Sequence, residues 1–275
     1  MTSPSAQQVT RRAAVLGSPI EHSRSPILHN AGYEAAGLEE WEYTTIECTA
    51  EDLARIVGEA DDSFRGFSVT MPAKFAALEF ADEVSERARS IGSANTLVRT
   101  ETGWFADNTD GEGIIGALGE LVGCRPIHRA LVIGGGGTAR PALWALRQAG
   151  VEEITVINRT DRSEELRPLL EGVAFEVVSF DADLAALALA ADVVISTVPT
   201  AALDGHEAAL AHAPILDVIY DPWPTRLTTA AASNGYVTVG GDVMLAFQAY
   251  RQFELFTGVE APREDMRRAL KASLR

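Results

Sequence analysis

The chain has 275 residues, 47% hydrophobic and 23% charged, which is an ordinary globular composition and long enough for two hydrophobic cores. A formal net charge of −16 disfavours roles in binding nucleic acid or an anionic membrane. No apolar run reaches the ~18 residues that a membrane helix needs, and residues 1–8 resemble a short disordered lead-in rather than a secretory signal. Cys48 and Cys124 have neither metal-type nor redox-type spacing, so we expect a cytoplasmic protein without a metal site.

The first part of the chain mixes short strands with helices. A helix is predicted to begin near Ser25, since Pro26 suits a first helical turn, and another near residues 49–52, where acidic residues favour a helix N-terminus. The turn at residues 101–103 indicates a hairpin. The predicted strands of this part are 12–16, 41–46, 66–70, 96–99 and 104–106.

From Asp110 onward the pattern becomes a regular alternation of strand and helix, which is typical of a parallel, doubly wound sheet. We therefore predict an α/β protein with a discontinuous first domain at 1–112 and 243–275 and a Rossmann-like domain at 113–242. Final helices are predicted at about 242–256 and 263–272. The predicted strands of the second domain are 130–133, 154–157, 175–178, 193–195, 215–219 and 237–239.

A glycine-rich turn follows the first strand of the second domain and matches G-x-G-x-x-A. Gly134 permits the tight turn, Gly136 lets the backbone approach a pyrophosphate, and the small Ala139 allows close packing of helix and strand. The N-terminus of the following helix offers N–H groups to phosphate. The predicted dinucleotide-binding residues here are Gly134, Gly135, Gly136, Gly137, Thr138 and Ala139.

The residues after the next strand indicate which dinucleotide binds. NAD-binding proteins commonly carry a carboxylate here to bond the ribose hydroxyls, whereas this chain has Asn158, Arg159 and Thr160. A guanidinium presents a planar fork of donors that suits a 2′-phosphate. The sequence therefore favours NADP, and the alternative is an exposed arginine at a strand end.

Three segments of the first domain carry polar residues that have ordinary interpretations one at a time. Ser25 alone would be a helix cap, Lys74 a solvated surface group, and Asn95 and Asp110 turn residues. Together they suggest a dehydrogenase site, because oxidation of a secondary alcohol needs a proton acceptor beside the carbon that yields hydride. A lysine and an aspartate that share a hydrogen bond can supply it, and Ser23 with Ser25 could hold a carboxylate.

On these motifs the chain resembles the shikimate dehydrogenases over about residues 13–257. The resemblance rests on Ser23-Arg24-Ser25-Pro26, Val69-Thr70-Met71-Pro72-x-Lys74, Ala94-Asn95-Thr96, Asn108-Thr109-Asp110, the run from Gly134, Tyr220-Asp221-Pro222 and Gly241-x-x-Met244-Leu245-x-x-Gln248.

The resemblance implies reversible NADPH-dependent reduction of 3-dehydroshikimate to shikimate, a step toward aromatic amino acids, by a monomer or homodimer. It assigns catalysis to Lys74 and Asp110, and binding of the substrate carboxylate to Ser23 and Ser25. Contacts with the substrate ring or its substituents are assigned to Thr70, Asn95, Asp110, Tyr220 and Gln248. Asn158, Arg159, Thr160, Val218, Gly241 and Glu86 join the glycine turn as cofactor-binding residues.

The chain departs from the family's usual pattern at two places. The residue before Val69 is often asparagine in the family and here is Ser68. Many NADP-specific members carry a basic residue at the position of Ser163, whereas here the basic residue, Arg162, comes one place earlier. Arg140, in the first turn after the glycines, could supply further positive charge.

Three other functions remain open on the sequence. An NAD-dependent quinate/shikimate dehydrogenase would tend to carry an acidic residue at Asn158. A non-catalytic protein of the same fold would be expected to lose Lys74 or Asp110, and both are present. A dehydrogenase of the folic-acid pathway would not need the two serines of the carboxylate grip.

Overall fold

The computed structural model describes residues 8–274 and divides the chain into two compact units. One unit runs to Thr109 and resumes at Ala249, and the other spans Asp110–Gln248. Residues 1–7 of the lead-in predicted at 1–8 lie outside the described residues. Within residues 8–274 no helix is both long enough and apolar enough to cross a membrane.

The first unit is built on a mixed six-stranded sheet in the order β2-β1-β3-β5-β6-β4. β1 pairs in parallel with β2 and β3, whereas β5 is antiparallel to both β3 and β6, which confirms the predicted hairpin. The strands are β1 (Arg11–Gly17), β2 (Trp41–Glu47), β3 (Phe64–Val69), β4 (Glu83–Val84), β5 (Thr96–Arg99) and β6 (Trp104–Asp107). The helices are α1 (Ser25–Ala35), α2 (Leu53–Gly58), α3 (Lys74–Phe80), α4 (Glu86–Ile91) and α12 (Arg263–Ser273).

The second unit has a six-stranded sheet in which every pairing is parallel, in the order β12-β11-β10-β7-β8-β9. This arrangement confirms the predicted doubly wound α/β fold. The strands are β7 (Arg129–Ile133), β8 (Glu153–Ile157), β9 (Ala174–Val178), β10 (Val193–Ser196), β11 (Ile215–Asp217) and β12 (Thr238–Gly240). The helices are α5 (Asp110–Val122), α6 (Ala139–Gln148), α7 (Ser163–Leu166), α8 (Leu184–Ala190), α9 (Glu207–Leu210), α10 (Arg226–Ser233) and α11 (Gly241–Thr257).

Strand β7 explains why the second unit gives such a clear sequence pattern. Leu131 and Ile133 belong to one hydrophobic cluster, whereas Ala130 and Val132 belong to another. Both faces of the strand are therefore buried, which makes a parallel strand a continuous apolar run. Chain order reverses on the two sides of β7, so a crevice opens beyond its carboxyl end, next to β10.

Helix α11 is divided between the two units, because its two halves pack against different neighbours. In the second unit, Gly113 and Gly116 of α5 leave room for Met244 and Phe247. In the first unit, Gly66 of β3 lies against the ring of Phe256. The predicted domain boundaries, with residues 243–275 in the first domain, stay a prediction.

Candidate active site

Backbone hydrogen bonds in the first unit gather three of the predicted site residues at neighbouring strand ends. The amide of Thr70 donates to Leu16 O at 2.8 Å, and Val69 N donates to Asn95 O at 2.7 Å. Ala94 N donates to Lys74 O at 3.0 Å. The segment that carries Thr70 and Lys74 thus lies beside Asn95, which is about twenty residues further along the sequence, at this edge of the sheet.

The two predicted carboxylate-gripping serines lie at the N-terminus of α1. Ser25 is the first residue of the helix, with Pro26 next to it, and it is 5% exposed. Its amide donates to the Ser23 hydroxyl oxygen at 3.4 Å. The position suits an anion, because amide N–H groups at a helix N-terminus carry partial positive charge.

The amide of Asn95 is held in one orientation by its buried neighbours. Its Oδ1 accepts from the Thr96 hydroxyl at 2.8 Å and from Thr109 N at 2.8 Å. Its Nδ2 donates to the Thr109 hydroxyl at 3.1 Å. Since Asn95 is 2% exposed, these bonds are shielded from competing water, and the structure specifies which end of the amide donates.

The two residues predicted to move the proton each begin a helix, in different units. Lys74 is the half-buried first residue of α3 in the first unit. Asp110 is the first residue of α5 in the second unit and is 6% exposed. A carboxylate at a helix N-terminus is favoured electrostatically in its ionised form. Their cooperation as a dyad stays a prediction.

A buried ion pair supports the segment that leads from β6 to Asp110. Asp107 accepts from Arg87 Nε at 3.1 Å, from the Ser85 hydroxyl at 2.7 Å and from Asn108 N at 2.8 Å. Burial acts to raise the pKa of Asp107, but the hydrogen bonds of Arg87 and Ser85 outweigh it and hold that pKa below its usual value. The backbone oxygen of Asp107 also accepts from Asn95 N at 3.1 Å, so the pair supports the Asn95 cluster.

We expect Asp107→Asn to lower the free energy of unfolding by up to about 3–5 kcal/mol, because it removes the carboxylate that pairs with the largely buried Arg87 guanidinium. A carboxylate whose folded pKa is lowered stabilises the fold above its unfolded pKa, and this contribution is lost as pH falls through the folded value. The difference between variant and wild type should therefore shrink below pH 3.8, the ordinary value for aspartate. Urea unfolding across pH measures it.

The matched control is Asp265→Asn, which breaks the exposed Arg268–Asp265 pair, whose side chains are 71% and 42% exposed. Exposed pairs contribute less than about 1 kcal/mol. Equal losses in the two variants, or a loss at Asp107 that does not depend on acid, would contradict the assigned role of the buried pair.

A cavity of 430 Å³ in the second unit lies beyond the carboxyl ends of β7, β8 and β10. Gly134 has φ +105, a conformation that suits glycine, and a Cβ there would meet the side chains of Thr197 and Val198. Around Gly136 a Cβ would meet nothing, so the backbone is open to a ligand. The lining residues are Gly134, Gly135, Gly136, Asn158, Arg159, Thr160, Arg162, Thr197, Val198 and Pro199.

The donors around this cavity fit an anionic dinucleotide. Arg159 and Arg162 bring two guanidinium groups to a chain whose net charge is −16. Arg162 also bonds Glu165 Oε2 at 3.3 Å. Asn158 Nδ2 donates to Thr160 O at 2.8 Å, which fixes the loop that carries Arg159.

The cavity lining includes residues that the sequence reasoning did not assign to the site. Arg162 was noted only as a departure from the family pattern, and its own side chain reaches the cavity. Thr197, Val198 and Pro199 follow β10, the strand next to β7, and the rule that ligands lie where strand order reverses could have identified them.

Other predicted cofactor residues lie outside this lining. In the second unit, Gly241 N donates to Ile219 O at 3.1 Å, and a Cβ on Gly241 would collide with the backbone of Val218. The two predicted nicotinamide neighbours, Val218 and Gly241, are thus adjacent. Glu86 is the exposed first residue of α4, in the first unit.

The remaining predicted substrate residues belong to the second unit. Tyr220 is half-buried in the segment after β11. Gln248 is 7% exposed, and its Nε2 donates to Leu245 O at 3.1 Å. Asp217, at the end of β11, accepts from the Thr225 hydroxyl at 2.8 Å and from Ile219 N at 3.3 Å, which ties down the segment that carries Tyr220.

The parallel sheet, the glycine turn after β7 and the two arginines that line the cavity define a Rossmann-type dinucleotide-binding protein with a second α/β unit. Models of three shikimate dehydrogenase domains match this chain: the substrate binding domain at residues 15–97, the shikimate/quinate 5-dehydrogenase domain at 122–211, and the C-terminal domain at 243–271.

Individual proteins are similar over nearly the whole chain. The shikimate dehydrogenase (NADP(+)) of Methanopyrus kandleri is 36% identical, covering 99% of each chain. The crystal structure of Mycobacterium tuberculosis shikimate dehydrogenase has a TM-score of 0.88 at 48% identity, covering 95% of this chain and 99% of that one. The Thermus thermophilus enzyme in complex with NADP(H) and shikimate has a TM-score of 0.82 at 33% identity, covering 96% and 99%. The chain belongs to the shikimate dehydrogenase family.

Proposed function

We propose that this chain catalyses the reversible NADPH-dependent reduction of 3-dehydroshikimate to shikimate, on the route to chorismate and the aromatic amino acids. The observation that carries the proposal is the set of backbone hydrogen bonds that places Thr70, Lys74 and Asn95, a lysine and two hydrogen-bonding residues, at one sheet edge. Relatives along nearly the whole chain bear the name shikimate dehydrogenase (NADP(+)).

On the substrate side, Ser23 and Ser25 hold the carboxylate through hydroxyl donors and the α1 N-terminus. The ring and its hydroxyl groups are contacted by Thr70, Asn95, Asp110, Tyr220 and Gln248. The fixed orientation of Asn95 supports its part, because a preset donor loses little entropy when it binds a hydroxyl.

Lys74 acts as the acid/base group, and Asp110 orients it and bonds a substrate hydroxyl. In the oxidation of shikimate, Lys74 accepts the proton of the reacting hydroxyl as the carbon loses hydride. In the reduction of 3-dehydroshikimate, Lys74 returns that proton to the new alkoxide oxygen. Proton transfer of this kind contributes about 10²–10⁴ in rate.

NADP supplies the hydride acceptor when bound, and NADPH the donor. The turn from Gly134 to Ala139 and the N-terminus of α6 hold the pyrophosphate. Asn158, Arg159 and Thr160, together with Arg162, recognise the 2′-phosphate, and the adjacent Val218 and Gly241 border the nicotinamide. Glu86 is a further cofactor contact carried over from the family.

We expect Gly136→Ala to leave stability unchanged, since an added Cβ meets no protein atom, but to raise KM for NADP by about tenfold, because the methyl group lies where the pyrophosphate approaches. Steady-state kinetics and thermal melting measure the two effects. Gly119→Ala, in α5 and also with open space around its Cβ, is the control. Unchanged KM for NADP in Gly136→Ala would contradict the placement of the cofactor.

Oxidation of shikimate and of quinate, each with saturating NADP, tests the substrate. We expect shikimate to be oxidised with the higher kcat/KM. A preference for quinate, or inactivity toward both, would overturn the proposal. The alternative, an NAD-dependent quinate/shikimate dehydrogenase, has less support, because Asn158 stands where an acidic residue would be expected. We propose a cytoplasmic monomer or homodimer.

A further inference from the structure

Five buried polar side chains join the sheet of the first unit to α11. Gln252 of α11 lies between β3 and β5 and bonds side chains of both strands, and it is 1% exposed. We call this set the Gln252 cluster; its members are Tyr43, Ser68, Asn95, Thr96 and Gln252. Ser68 is also the position where the family often has asparagine. The cluster therefore shows which groups the shorter serine side chain bonds in this chain.

The hydrogen bonds of Gln252 leave one possible orientation for its amide. Its Nε2 donates to the backbone oxygen of Asn95 at 3.0 Å and to the Thr96 hydroxyl at 2.9 Å. A carbonyl oxygen only accepts, so the nitrogen must face Asn95. The Oε1 atom therefore faces Ser68, whose hydroxyl donates to it at 2.7 Å.

The orientation of Gln252 is passed on to the Asn95 side chain through Thr96. Because the Thr96 hydroxyl accepts from Gln252, its own hydrogen is directed to Asn95 Oδ1, 2.8 Å away. A flipped Asn95 amide would point its NH₂ group at this hydrogen and at the Thr109 N–H. The bonds in this buried network thus oppose the flip.

The other side of Gln252 is held equally firmly. Since the one hydrogen of the Ser68 hydroxyl goes to Gln252, the Tyr43 hydroxyl must donate to Ser68, at 2.6 Å. Tyr43 is in turn stacked on the buried ring of His29, with centroids 4.1 Å apart. The oxygen of Gln252 therefore has a fixed donor, which prevents the amide from rotating.

We propose that Gln252 is a positioning residue that sets the direction of the Asn95 amide, so that Asn95 Nδ2 is the donor presented to the substrate's ring hydroxyl. This inference rests on the proposed function, in which Asn95 contacts the ring. The role belongs to a side chain 157 residues away from Asn95 in sequence, on a helix whose assigned substrate contact is Gln248.

The Gln252→Glu variant tests the proposal, because it keeps the shape of the side chain and has no donor when the introduced carboxyl group is ionised. Thr96 would then donate to the carboxylate instead of to Asn95, which frees the amide to flip. We expect kcat/KM for shikimate to fall about tenfold to a hundredfold, with KM for NADP unchanged. The loss should diminish as pH falls, since the introduced carboxyl group regains one donor when it is protonated.

Two titratable side chains, His29 and Tyr43, lie close to the Gln252 cluster. Burial lowers the pKa of His29 to about 3, although the Gln252 side chain acts to raise it. Burial also raises the pKa of Tyr43 well above its usual value, against the hydrogen bonds of Ser68 and Ser25. Wild type assayed at each pH is the reference for the pH dependence of the reaction itself. Gln148→Glu, at an exposed site on α6, is the matched control and should behave as wild type.

A second pair of variants covers the case in which Gln252→Glu does not fold. Thr96→Val removes the relaying hydroxyl and should lower kcat/KM for shikimate, whereas Thr96→Ser keeps the hydroxyl and should restore it. Wild-type kinetics in Gln252→Glu at every pH, or equal activity of folded Thr96→Val and wild type, would overturn the inference. A wild type that fails to oxidise shikimate would instead refute the proposed function, so the two failures are distinguishable.

Discussion

Replacing Lys74 with methionine should lower kcat for shikimate oxidation by about 10²–10⁴, because the variant loses the group that takes the hydroxyl proton. Binding of NADP should not change, since Lys74 does not line the cavity of the second unit. Stopped-flow or steady-state absorbance at the reduced-nicotinamide band measures kcat, and fluorescence titration with NADPH measures binding.

The chain offers an unusually clean control, because Lys74 and Lys271 are its only lysines. Lys271 is exposed in the last turn of α12, so Lys271→Met removes the same charge far along the sequence and should leave kcat unchanged. If Lys74→Met retains kcat within a factor of about three, too small a loss for a general acid/base, another group moves the proton.

Removing both guanidinium groups of the cavity, with Arg159→Ala and Arg162→Ala together, should raise KM for NADP by about a hundredfold or more. Each charge-assisted hydrogen bond to the 2′-phosphate contributes about 1.5–3 kcal/mol. KM for NAD, which lacks that phosphate, should change little, so the preference between the two cofactors should diminish or reverse. The ratio of kcat/KM values for NADP and NAD measures this directly.

The two single variants, Arg159→Ala and Arg162→Ala, show whether Arg162 binds the 2′-phosphate in addition to Arg159. If Arg162 compensates for Ser163, each single variant should weaken NADP binding, whereas an effect of Arg159 alone would show that Arg162 serves only its pair with Glu165. Arg167→Ala, which removes an exposed arginine outside the cavity lining, is the control. Equal effects on NADP and NAD would contradict recognition of the 2′-phosphate.

The sequence predicted secondary structure best for strands in which consecutive residues are all buried. Inner strands of the parallel sheet such as β7 are buried on both faces, so their apolar runs stand out, and the glycine turn follows β7. The two-residue β4 and the four-residue α7 and α9 give no such signal, because elements of that length show no periodicity. The division of α11 between units likewise depends on tertiary packing.

The site residues also divide into those that a local motif predicts and those that only the fold brings together. Lys74, Asn95 and the two serines could be proposed from the sequence because they occur in short motifs in a family order. Gln252 could not, because its partners come from two strands that are distant in sequence, and a buried glutamine in an amphipathic helix has no local pattern of its own. Arg162 was found but undervalued, since only the fold shows that its side chain reaches the cavity.

The most direct test of the central claim is the absorbance of reduced nicotinamide when the purified protein is mixed with shikimate and either NADP or NAD. We expect shikimate to reduce NADP with a kcat/KM well above that for NAD, and 3-dehydroshikimate to oxidise NADPH in the reverse direction. Absence of NADP reduction by shikimate, or a clear preference for NAD, would contradict it.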